Sequence, residues 1–261
     1  LKKQLMYQIL FFIQDLGCDE MMHTALMGPP GVGKTTVAKV IAGIYKSLGF
    51  LSKGKLILAN REDLIGQYLG ETALKTRTML EISRGSVLFI DEAYALGSEG
   101  GRDSYAKECV DTLTAFLSEN TKDFVCIIAG YESDLKRYFF DSNPGLDRRF
   151  PWKYVIKPYN PEQLTSIFFK GVKSSWKIKK PKQANKYINA LIKQNKELFV
   201  NNGGDVSNYI NACKMAHSRR VFGSSWSSKK MLTLEDFDSG MELIKRNKST
   251  RPNSAPVHMY L

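Results

Sequence analysis

Cysteine and histidine are scarce in this sequence, and the few that occur are scattered. The chain has four cysteines, none in a C-x-x-C pair, and three isolated histidines. This pattern excludes the ligand spacing of a zinc site and the dense cysteine framework of a small secreted domain. We therefore expect reduced thiols in an intracellular, cytoplasmic compartment, with neither a metal cluster nor a disulfide.

Long apolar runs are missing as well. A membrane-spanning helix needs about 18 or more consecutive apolar residues, and no segment supplies them. The opening stretch 1–13 is apolar but is interrupted by Gln8, and no small-residue cleavage site follows it. We therefore expect an amphipathic first helix, not a signal peptide, and no membrane association. Because the chain begins at Leu1 and not at a methionine, we expect it to be a fragment of a longer protein.

Acidic residues become scarce in the last part of the chain. Residues 1–150 contain 18 Lys and Arg against 19 Asp and Glu, whereas residues 151–261 contain 20 against 7. This shift predicts a domain boundary near residue 157 and an acidic partner for the second part. Seven lysines surround Trp176 within Lys170–Lys186. They fit either a nucleic-acid surface or an ordinary solvated face of a lysine-rich protein.

One glycine-rich stretch, Gly28-Pro-Pro-Gly-Val-Gly-Lys-Thr35, fits the G-x4-G-K-[ST] phosphate-binding pattern. It lies between a strand-like segment at 23–27 and a helix-like segment at 36–48. Glycines let backbone N–H groups approach phosphates, and a helix N-terminus attracts anions. We expect Lys34 to reach the β- and γ-phosphates and Thr35 to bind Mg²⁺. The predicted nucleotide-binding residues are Gly28, Pro29, Pro30, Gly31, Val32, Gly33, Lys34, Thr35 and Thr36.

Strands and helices alternate over the first 155 or so residues, which indicates an α/β fold with a parallel sheet covered on both faces. Beyond them only helical patterns occur. The domains that we predict are 1–157 as the nucleotide-binding core, 158–247 as a helical subdomain and 248–261 as an extended tail. Predicted strands occupy 23–27, 55–59, 86–90, 124–129 and 154–156. Predicted helices occupy 36–48, 73–83, 105–118, 133–140, 160–174, 183–194, 205–221 and a segment from 233.

The third predicted strand ends in Asp91-Glu92, which is the second functional signal. At the carboxyl edge of a parallel sheet, Asp91 is expected to bind magnesium, and Glu92 to orient and deprotonate an attacking water. The alternative is a merely charged strand terminus. Because the pair follows a phosphate-binding loop at the right distance, we favour the hydrolytic interpretation.

The two motifs and the helical subdomain together resemble the AAA+ ATPases. Within that family, four stretches are similar to the CbbX/CfxQ/SpoVK-like group: Asp63–Thr72, Val87–Leu96, Ile128–Tyr131 and Ser142–Leu146. The segment Ala216–Phe222 is similar to relatives encoded by large DNA viruses. The resemblance implies an AAA+ P-loop NTPase core with a five-stranded parallel sheet, a small all-helical lid, and ATP with Mg²⁺ as ligands. For a viral protein it implies the host cytoplasm or the virion.

The resemblance also implies a homo-oligomer, a hexameric ring in which hydrolysis needs a neighbouring subunit. The stretch Asn143–Phe150 is similar to the segment that supplies an arginine finger to the adjacent nucleotide. Either Arg148 or Arg149 fits this role, with Arg148 slightly favoured. The alternative is an arginine pair that forms surface ion pairs.

A polypeptide-gripping pore loop is the second implied feature. The stretch Gln67–Gly70 is similar to the first pore loop of the family, where Tyr68 and Leu69 would contact a threaded protein substrate. The alternative is a tyrosine that packs under its own loop. Residues Gly97–Asp103 are a candidate second pore loop.

Two positions depart from the common family pattern. The sensor-1 position after the fourth strand often carries Asn, but Ala129–Glu132 contains none, and Ser207 stands where a sensor-2 arginine usually occurs. The resemblance implies an ATPase that threads or remodels a protein. Two alternatives remain open: a nucleic-acid-directed AAA+ ATPase or loader that uses Lys170–Lys186, and a nucleotide-gated scaffold with weak turnover.

Overall fold

Five parallel strands form the sheet that carries the first part of the chain, as the sequence predicts. The computed structural model describes residues 1–14, 21–68, 70–97, 103–173, 175–223 and 230–249. Across the sheet the strands follow the order β2-β3-β4-β1-β5, and each pairs in parallel with its neighbours. Their bounds are β1 Thr24–Met27, β2 Leu56–Ala59, β3 Val87–Ile90, β4 Val125–Gly130 and β5 Trp152–Val155.

Seven helices accompany these strands among the described residues up to 157. Their bounds are α1 Lys2–Ile13, α2 Lys34–Ser47, α3 Arg61–Leu64, α4 Glu71–Ile82, α5 Ser104–Glu119, α6 Glu132–Asp134 and α7 Leu146–Arg149. The predicted helix at 133–140 is irregular instead, because α6 is followed by a π-helical turn at Leu135–Phe139 and a 3₁₀ turn at Phe140–Ser142. The other predicted helices of this part are confirmed, with small shifts at their ends.

Alternation along the strands explains why both faces of the sheet are covered. Successive side chains of a strand point to opposite faces, so a doubly covered strand must be apolar throughout. Strands β1, β3 and β4 are buried at every residue. One hydrophobic cluster contains Ala25, Met27, Leu88, Ile90, Cys126 and Ile128. The other contains Leu26, Val87, Phe89, Val125, Ile127 and Ala129.

The chain forms two compact units. The first comprises Leu1–Pro29 with Gly33–Lys157, and the second comprises Pro30–Val32 with Pro158–Leu261. The second unit contains α8 Pro161–Lys173, β6 Lys177–Ile178, α9 Pro181–Gln194, α10 Gly203–Arg220, β7 Met231–Leu232 and α11 Leu234–Ser249. Its helical character is as predicted, but the description "all-helical" was incomplete, since β6 and β7 pair in parallel. Helix α11 also continues past residue 247, and the predicted tail lies outside the described residues from 250 onwards.

Hydrogen bonds at helix ends explain how local sequence starts the helices of the second unit. At α8, the Asn160 N–H donates to Gln163 Oε1 and the Gln163 N–H donates to Asn160 Oδ1, which is a complete capping box. At α11, the Thr233 N–H donates to Asp236 Oδ2 at 2.8 Å. Both pairs satisfy backbone donors that a helix N-terminus leaves without intrahelical partners.

Asp236 is also the centre of a buried polar cluster within the second unit. Its carboxylate is 1% exposed and accepts two hydrogen bonds from Arg220, at 2.8 and 2.9 Å. His217, equally buried, places Nδ1 3.1 Å from the same carboxylate. Burial opposes ionisation, but hydrogen bonds from Arg220 and the Thr233 backbone outweigh it and lower the pKa of Asp236. The cluster thus joins the end of α10 to the start of α11.

The Trp176 side chain packs against other side chains of the second unit, although exposed lysines surround it in the sequence. Its half-buried ring packs edge-to-face on His217, with a centroid distance of 5.1 Å, and the Lys214 ammonium lies 5.8 Å from the ring centroid. It also packs against the hydrophobic cluster of the second unit. The lysines themselves are exposed. These are Lys170, Lys173, Lys177, Lys179, Lys180, Lys182 and Lys186.

Two further sequence features concern the cysteines and the membrane. Cys109, Cys126 and Cys213 are buried free thiols, whereas Cys18 lies outside the described residues. Burial raises the pKa of Cys109 to about 11, which keeps this thiol protonated. In the part of the chain that the structure describes, no helix is both long and apolar enough to cross a bilayer.

His23 is buried at the start of β1, where it bonds to the neighbouring strand. Its Nδ1 accepts a hydrogen bond from the Cys126 backbone N–H at 3.1 Å, and its ring packs against Phe124 and Phe150. Burial lowers the pKa of His23 from 6.5 to about 4. The folded protein therefore holds this imidazole neutral, whereas the unfolded chain protonates it near pH 6.5.

This difference predicts a loss of stability in mild acid. The His23 contribution is fully present above pH 6.5 and is lost as the pH falls through about 4, by about 3 kcal/mol in total. His23→Asn offers a neutral acceptor to the Cys126 N–H, so the difference in unfolding free energy between wild type and variant should change between pH 7 and pH 4. Urea unfolding at several pH values measures it, and a difference independent of pH would contradict the assignment.

Candidate functional site

The phosphate-binding loop connects β1 to α2, as the sequence predicts. The Gly28 N–H donates to the Gly130 carbonyl at 3.0 Å, which ties the start of the loop to the end of β4. A Cβ on Gly28 would lie 2.5 Å from the Ile156 carbonyl oxygen, so only glycine fits there. Gly31 and Gly33 have φ values of 71° and 87°, which L side chains rarely adopt. The spacing of the glycines thus follows from backbone geometry.

Helix α2 presents its N-terminus directly after this loop. Lys34 is its first residue, followed by the half-buried Thr35 and the exposed Thr36. No acidic residue occupies its first turn, so the free N–H groups and the positive end of the helix dipole are not neutralised locally. This arrangement suits a phosphate group.

Lys34 is the buried cation of the site, with 7% of its surface exposed. Its ammonium donates to the carbonyl oxygens of Gly28 at 2.8 Å and Pro29 at 3.2 Å. Burial lowers its pKa, and the negative charges of Asp91 and Glu92 partly offset that effect. The ammonium is thus held by loop carbonyls that a phosphate oxygen could replace.

Asp91 and Glu92 follow β3 at the same edge of the sheet. The Glu92 N–H donates to Asp91 Oδ1 at 3.1 Å, and Glu92 has a left-handed backbone with φ 50°. A non-glycine residue in this region carries strain of about 1–2 kcal/mol, which often marks a functional position. Burial and the neighbouring Asp91 raise the pKa of Glu92, while Lys34 opposes the rise. A carboxylate with a raised pKa is a stronger general base.

The structure therefore brings the predicted phosphate, metal and base residues to one edge of the sheet. Thr35 supplies a hydroxyl oxygen and Asp91 a carboxylate, and these are the oxygen ligands that Mg²⁺ prefers. Lys34 and Glu92 interact electrostatically across the same region. These residues fit a magnesium nucleotide.

Sequence reasoning gave Tyr131 no role, although it lies at this edge too. The Lys34 ammonium is 5.8 Å from the centroid of its ring, and Tyr94 contacts it with a centroid distance of 6.4 Å. The sequence pattern gives no signal for this placement, because it depends on the order of the strands in the sheet. Strand β4 lies between β3 and β1, so the residue after β4 stands between the carboxylates and the phosphate-binding loop.

The two candidate finger arginines lie on α7 and differ in their contacts. The Arg149 guanidinium donates from Nε and Nη2 to Ser118 Oγ, at 3.0 and 2.8 Å, and from Nη1 to the Gly145 carbonyl at 2.8 Å. Arg148 is exposed and, among the described residues, has no hydrogen bond or ion pair. Nor does any described hydrogen bond or ion pair connect either arginine with Lys34 or Glu92.

The predicted pore loop is tied to the start of α4. Glu71 accepts the N–H groups of Gln67 and Tyr68, both at 3.2 Å, and Gly66 donates to Thr72 Oγ1 at 3.1 Å. The Tyr68 side chain is 69% exposed, so the alternative that it packs under its own loop is wrong. Leu69 lies outside the described residues.

The candidate second pore loop and the lid position can be placed only in part. Residues 98–102 of the loop lie outside the described residues, whereas Asp103 caps α5 through the Ala106 N–H at 3.0 Å. Ser207 lies on α10 and donates its hydroxyl hydrogen bond to the Gly203 carbonyl at 3.0 Å. A serine engaged in this way provides no positive charge for a phosphate.

Comparisons with known proteins agree with this geometry. The family model described as "ATPase family associated with various cellular activities (AAA)" matches residues 24–139. A CfxQ-like protein of Acanthamoeba polyphaga mimivirus is 36% identical over 265 residues, which covers all of this chain and 65% of that protein. The stage V sporulation protein K of Bacillus subtilis is 34% identical, over 84% of this chain and 69% of its own length.

Two further similarities extend the comparison. A chloroplastic ribulose bisphosphate carboxylase/oxygenase activase of Cyanidioschyzon merolae is 34% identical, over 78% of this chain and 69% of its own length. The crystal structure of the FIGL-1 AAA domain in complex with ADP superposes with a TM-score of 0.62 at 20% identity, covering 85% of this chain and 71% of that one. The structural similarity shows the fold. Together with the fold and the site, the sequence relatives show that this chain belongs to the AAA ATPase family, within its CfxQ-like group.

Proposed function

We propose that the chain hydrolyses ATP as a subunit of a homo-oligomeric, hexameric ring and uses that energy to pull on a protein substrate. The observation that carries the proposal is the meeting of Lys34, Asp91 and Glu92 at one edge of the sheet, beside the N-terminus of α2. Lys34 and the N-terminus of α2 can bind the negatively charged phosphates. Asp91 can bind the metal ion, and Glu92 can bind the attacking water.

ATP and Mg²⁺ are the ligands that the residues fit. Backbone N–H groups of the loop and of α2 would hold the phosphates, with Lys34 at the β- and γ-phosphates. Thr35 and Asp91 would hold Mg²⁺, which supplies charge neutralisation on the phosphate oxygens. The name of the FIGL-1 structure records ADP in that protein, which supports a nucleotide here.

Glu92 is the proposed general base. It takes a proton from a water whose oxygen attacks the γ-phosphorus, while the bond from that phosphorus to the bridging oxygen of ADP breaks. ADP and phosphate are the products, and Glu92 then releases its proton to solvent. Its raised pKa supports this role, because it makes the carboxylate a better proton acceptor.

Arg148 is the proposed arginine finger, and Arg149 is the residue that positions it. A finger must reach a neighbouring subunit, so it needs a guanidinium that its own subunit does not already bind. Arg148 is exposed, whereas each of the three guanidinium nitrogens of Arg149 donates a hydrogen bond within the subunit. Arg149 thereby fixes α7 against α5, which limits the directions open to Arg148.

Tyr68 is the proposed gripping residue for a protein substrate. It is exposed, and its backbone N–H is anchored to Glu71 at the first residue of α4, so a displacement of that helix moves the aromatic ring with it. The name of the Cyanidioschyzon merolae relative refers to activation of a protein, which supports a protein as the substrate class.

A nucleic-acid-directed ATPase is the second candidate, favoured by the exposed lysines of 170–186. The packing of Trp176 on His217 speaks against the stacking that a single strand would use. A scaffold with weak turnover is the third, favoured by Ser207.

Buried thiols at Cys109, Cys126 and Cys213 support a reducing compartment, such as a cell's cytoplasm, as the place of action. The mimiviral relative supports a viral origin with a host cell as that place.

The central prediction concerns ATPase rate against protein concentration. Specific activity should rise steeply with concentration, because each site needs a neighbour. Glu92→Gln should lower kcat by about 100-fold or more, and Arg148→Ala by about 1,000-fold or more, with ATP affinity nearly retained. Lys136→Ala, which removes an exposed cation on a nearby turn, is the matched control and should remain active.

Four outcomes, the last measured with DNA or RNA added to the same assay, would contradict the proposal. Specific activity that does not depend on protein concentration would contradict a site shared between subunits. An Arg148→Ala variant as active as Lys136→Ala would contradict the role of Arg148 as the arginine finger. Tight ATP binding without hydrolysis at any concentration would favour the scaffold. Stimulation by DNA or RNA that is lost when the lysines of 170–186 are changed would favour the nucleic-acid motor.

The pore prediction separates hydrolysis from mechanical work. Unfolded casein should stimulate the wild-type ATPase, and Tyr68→Ala should abolish the stimulation while basal activity stays within about threefold, since the residue lies outside the nucleotide site. Tyr68→Phe should retain it because the ring remains. Tyr7→Ala, at an exposed tyrosine of α1, is the control. If casein stimulated the Tyr68→Ala variant as strongly as the wild type, the proposed gripping role of Tyr68 would be contradicted.

A further inference from the structure

The backbone carbonyls of the phosphate-binding loop, from Gly28 to Gly33, all accept hydrogen bonds in the structure. The Lys34 ammonium donates to the first two. The last, that of Gly33, accepts the Val37 N–H of α2 at 2.9 Å. The middle three belong to Pro30–Val32, the part of the loop that lies in the second compact unit. Their donors come from three residues of that unit.

Each carbonyl of Pro30–Val32 has its own donor. In chain order these donors are the Asn202 Nδ2 at 3.1 Å, the Gly203 N–H at 3.0 Å and the Tyr159 hydroxyl at 2.7 Å. Asn202 also accepts the Tyr159 N–H through Oδ1, at 2.9 Å. The side-chain amide of Asn202 therefore joins Tyr159 to the loop.

Asn202 has a backbone conformation that favours glycine. The Gly204 N–H donates to the Asn201 carbonyl at 3.0 Å, which closes a four-residue turn. Asn202 is the second residue of this turn, with φ 49° and ψ −117°. These angles are typical of a type II′ turn, in which the second residue is usually glycine. The asparagine therefore carries backbone strain, which the hydrogen bonds of its buried amide offset.

Binding of these carbonyls also sets the direction of the neighbouring N–H groups. In a trans peptide unit the C=O and N–H bonds point in opposite directions. Since the carbonyls of Pro30–Val32 point to the donors of the second unit, the N–H groups of Gly31, Val32 and Gly33 point away from those donors. Among the described residues, no hydrogen bond uses any of these three N–H groups. They are available to phosphate oxygens, which accept hydrogen bonds from such groups.

We propose that Tyr159 and Asn202 are positioning residues that orient the phosphate-binding loop, so that the N–H groups of Gly31, Val32 and Gly33 face the phosphates of the nucleotide. The inference rests on the proposed function, because this loop is its nucleotide-binding element. Loss of either donor frees a carbonyl and lets its peptide unit rotate, and a rotated unit presents an oxygen to the phosphate instead of an N–H. ADP and ATP should be affected alike, since the loop binds phosphates that both nucleotides carry.

The test compares Tyr159→Phe with Tyr187→Phe, a matched control in the same unit. Both tyrosines are half-buried, and each hydroxyl donates a hydrogen bond of 2.7 Å, that of Tyr187 to Asp238. Tyr159→Phe should raise Kd about fivefold for a fluorescent ADP and for a non-hydrolysable ATP analogue, with kcat at saturating ATP changed far less. Tyr187→Phe should leave both Kd values within about twofold.

Asn202→Gly separates positioning of the loop from stability of the fold. Glycine relieves the backbone strain of the turn, so the melting temperature without nucleotide should change little. The Kd for ADP should nevertheless rise about tenfold, because the donor to Pro30 and the acceptor for the Tyr159 N–H are both lost.

Three results decide between the inference and the proposed function. Unchanged Kd values in Tyr159→Phe and Asn202→Gly, with a wild type that binds ADP, overturn the inference and leave the proposed function standing. Equal effects of Tyr159→Phe and Tyr187→Phe on Kd also overturn it, because they show a general loss of packing in the second unit. A wild type that binds nucleotide without hydrolysing it contradicts the proposed function, whereas weaker binding by Tyr159→Phe alone still supports the inference.

Discussion

The crowding of one ammonium and two carboxylates at the carboxyl edge of the sheet is the constraint on which the site depends. Lys34 is buried, and its charge is tolerated because loop carbonyls bind it and Asp91 and Glu92 lie near it. At this position Glu92 has a left-handed backbone, and burial together with the neighbouring Asp91 raises its pKa. An anionic phosphate would replace the carbonyls as the partner of Lys34, which connects the folding of the loop to its affinity for nucleotide.

Strand order brings these charged groups to neighbouring positions at one edge of the sheet. Because β4 separates β3 from β1, the carboxylates and the loop flank a space one strand wide. The doubly buried strands fix that spacing, and the bond from Gly28 to Gly130 fixes the start of the loop. In the second unit, the cluster around Asp236 fixes two helices in a similar way, because its hydrogen bonds join the end of α10 to the start of α11.

Local patterns predicted which elements carry the candidate site residues, but not the contacts that surround them. The loop and the Asp91-Glu92 pair were readable because their chemistry restricts residue types at a fixed spacing. Strand positions were readable from apolar runs. The hydrogen bonds of Arg149 could not be predicted, because they involve Ser118, 31 residues away in the chain. Tyr131 and the packing of Trp176 on His217 depend likewise on strand order and tertiary packing, which periodicity does not encode.

A subunit-mixing experiment tests most directly whether the active site is shared between two chains. Glu92→Gln and Arg148→Ala subunits, each inactive alone, are mixed in equal amounts, with subunit exchange followed by native mass spectrometry. A site with an intact Glu92 can then receive Arg148 from its neighbour, so the account predicts recovery of up to about a quarter of wild-type activity. Mixed rings as inactive as the separate variants would contradict it.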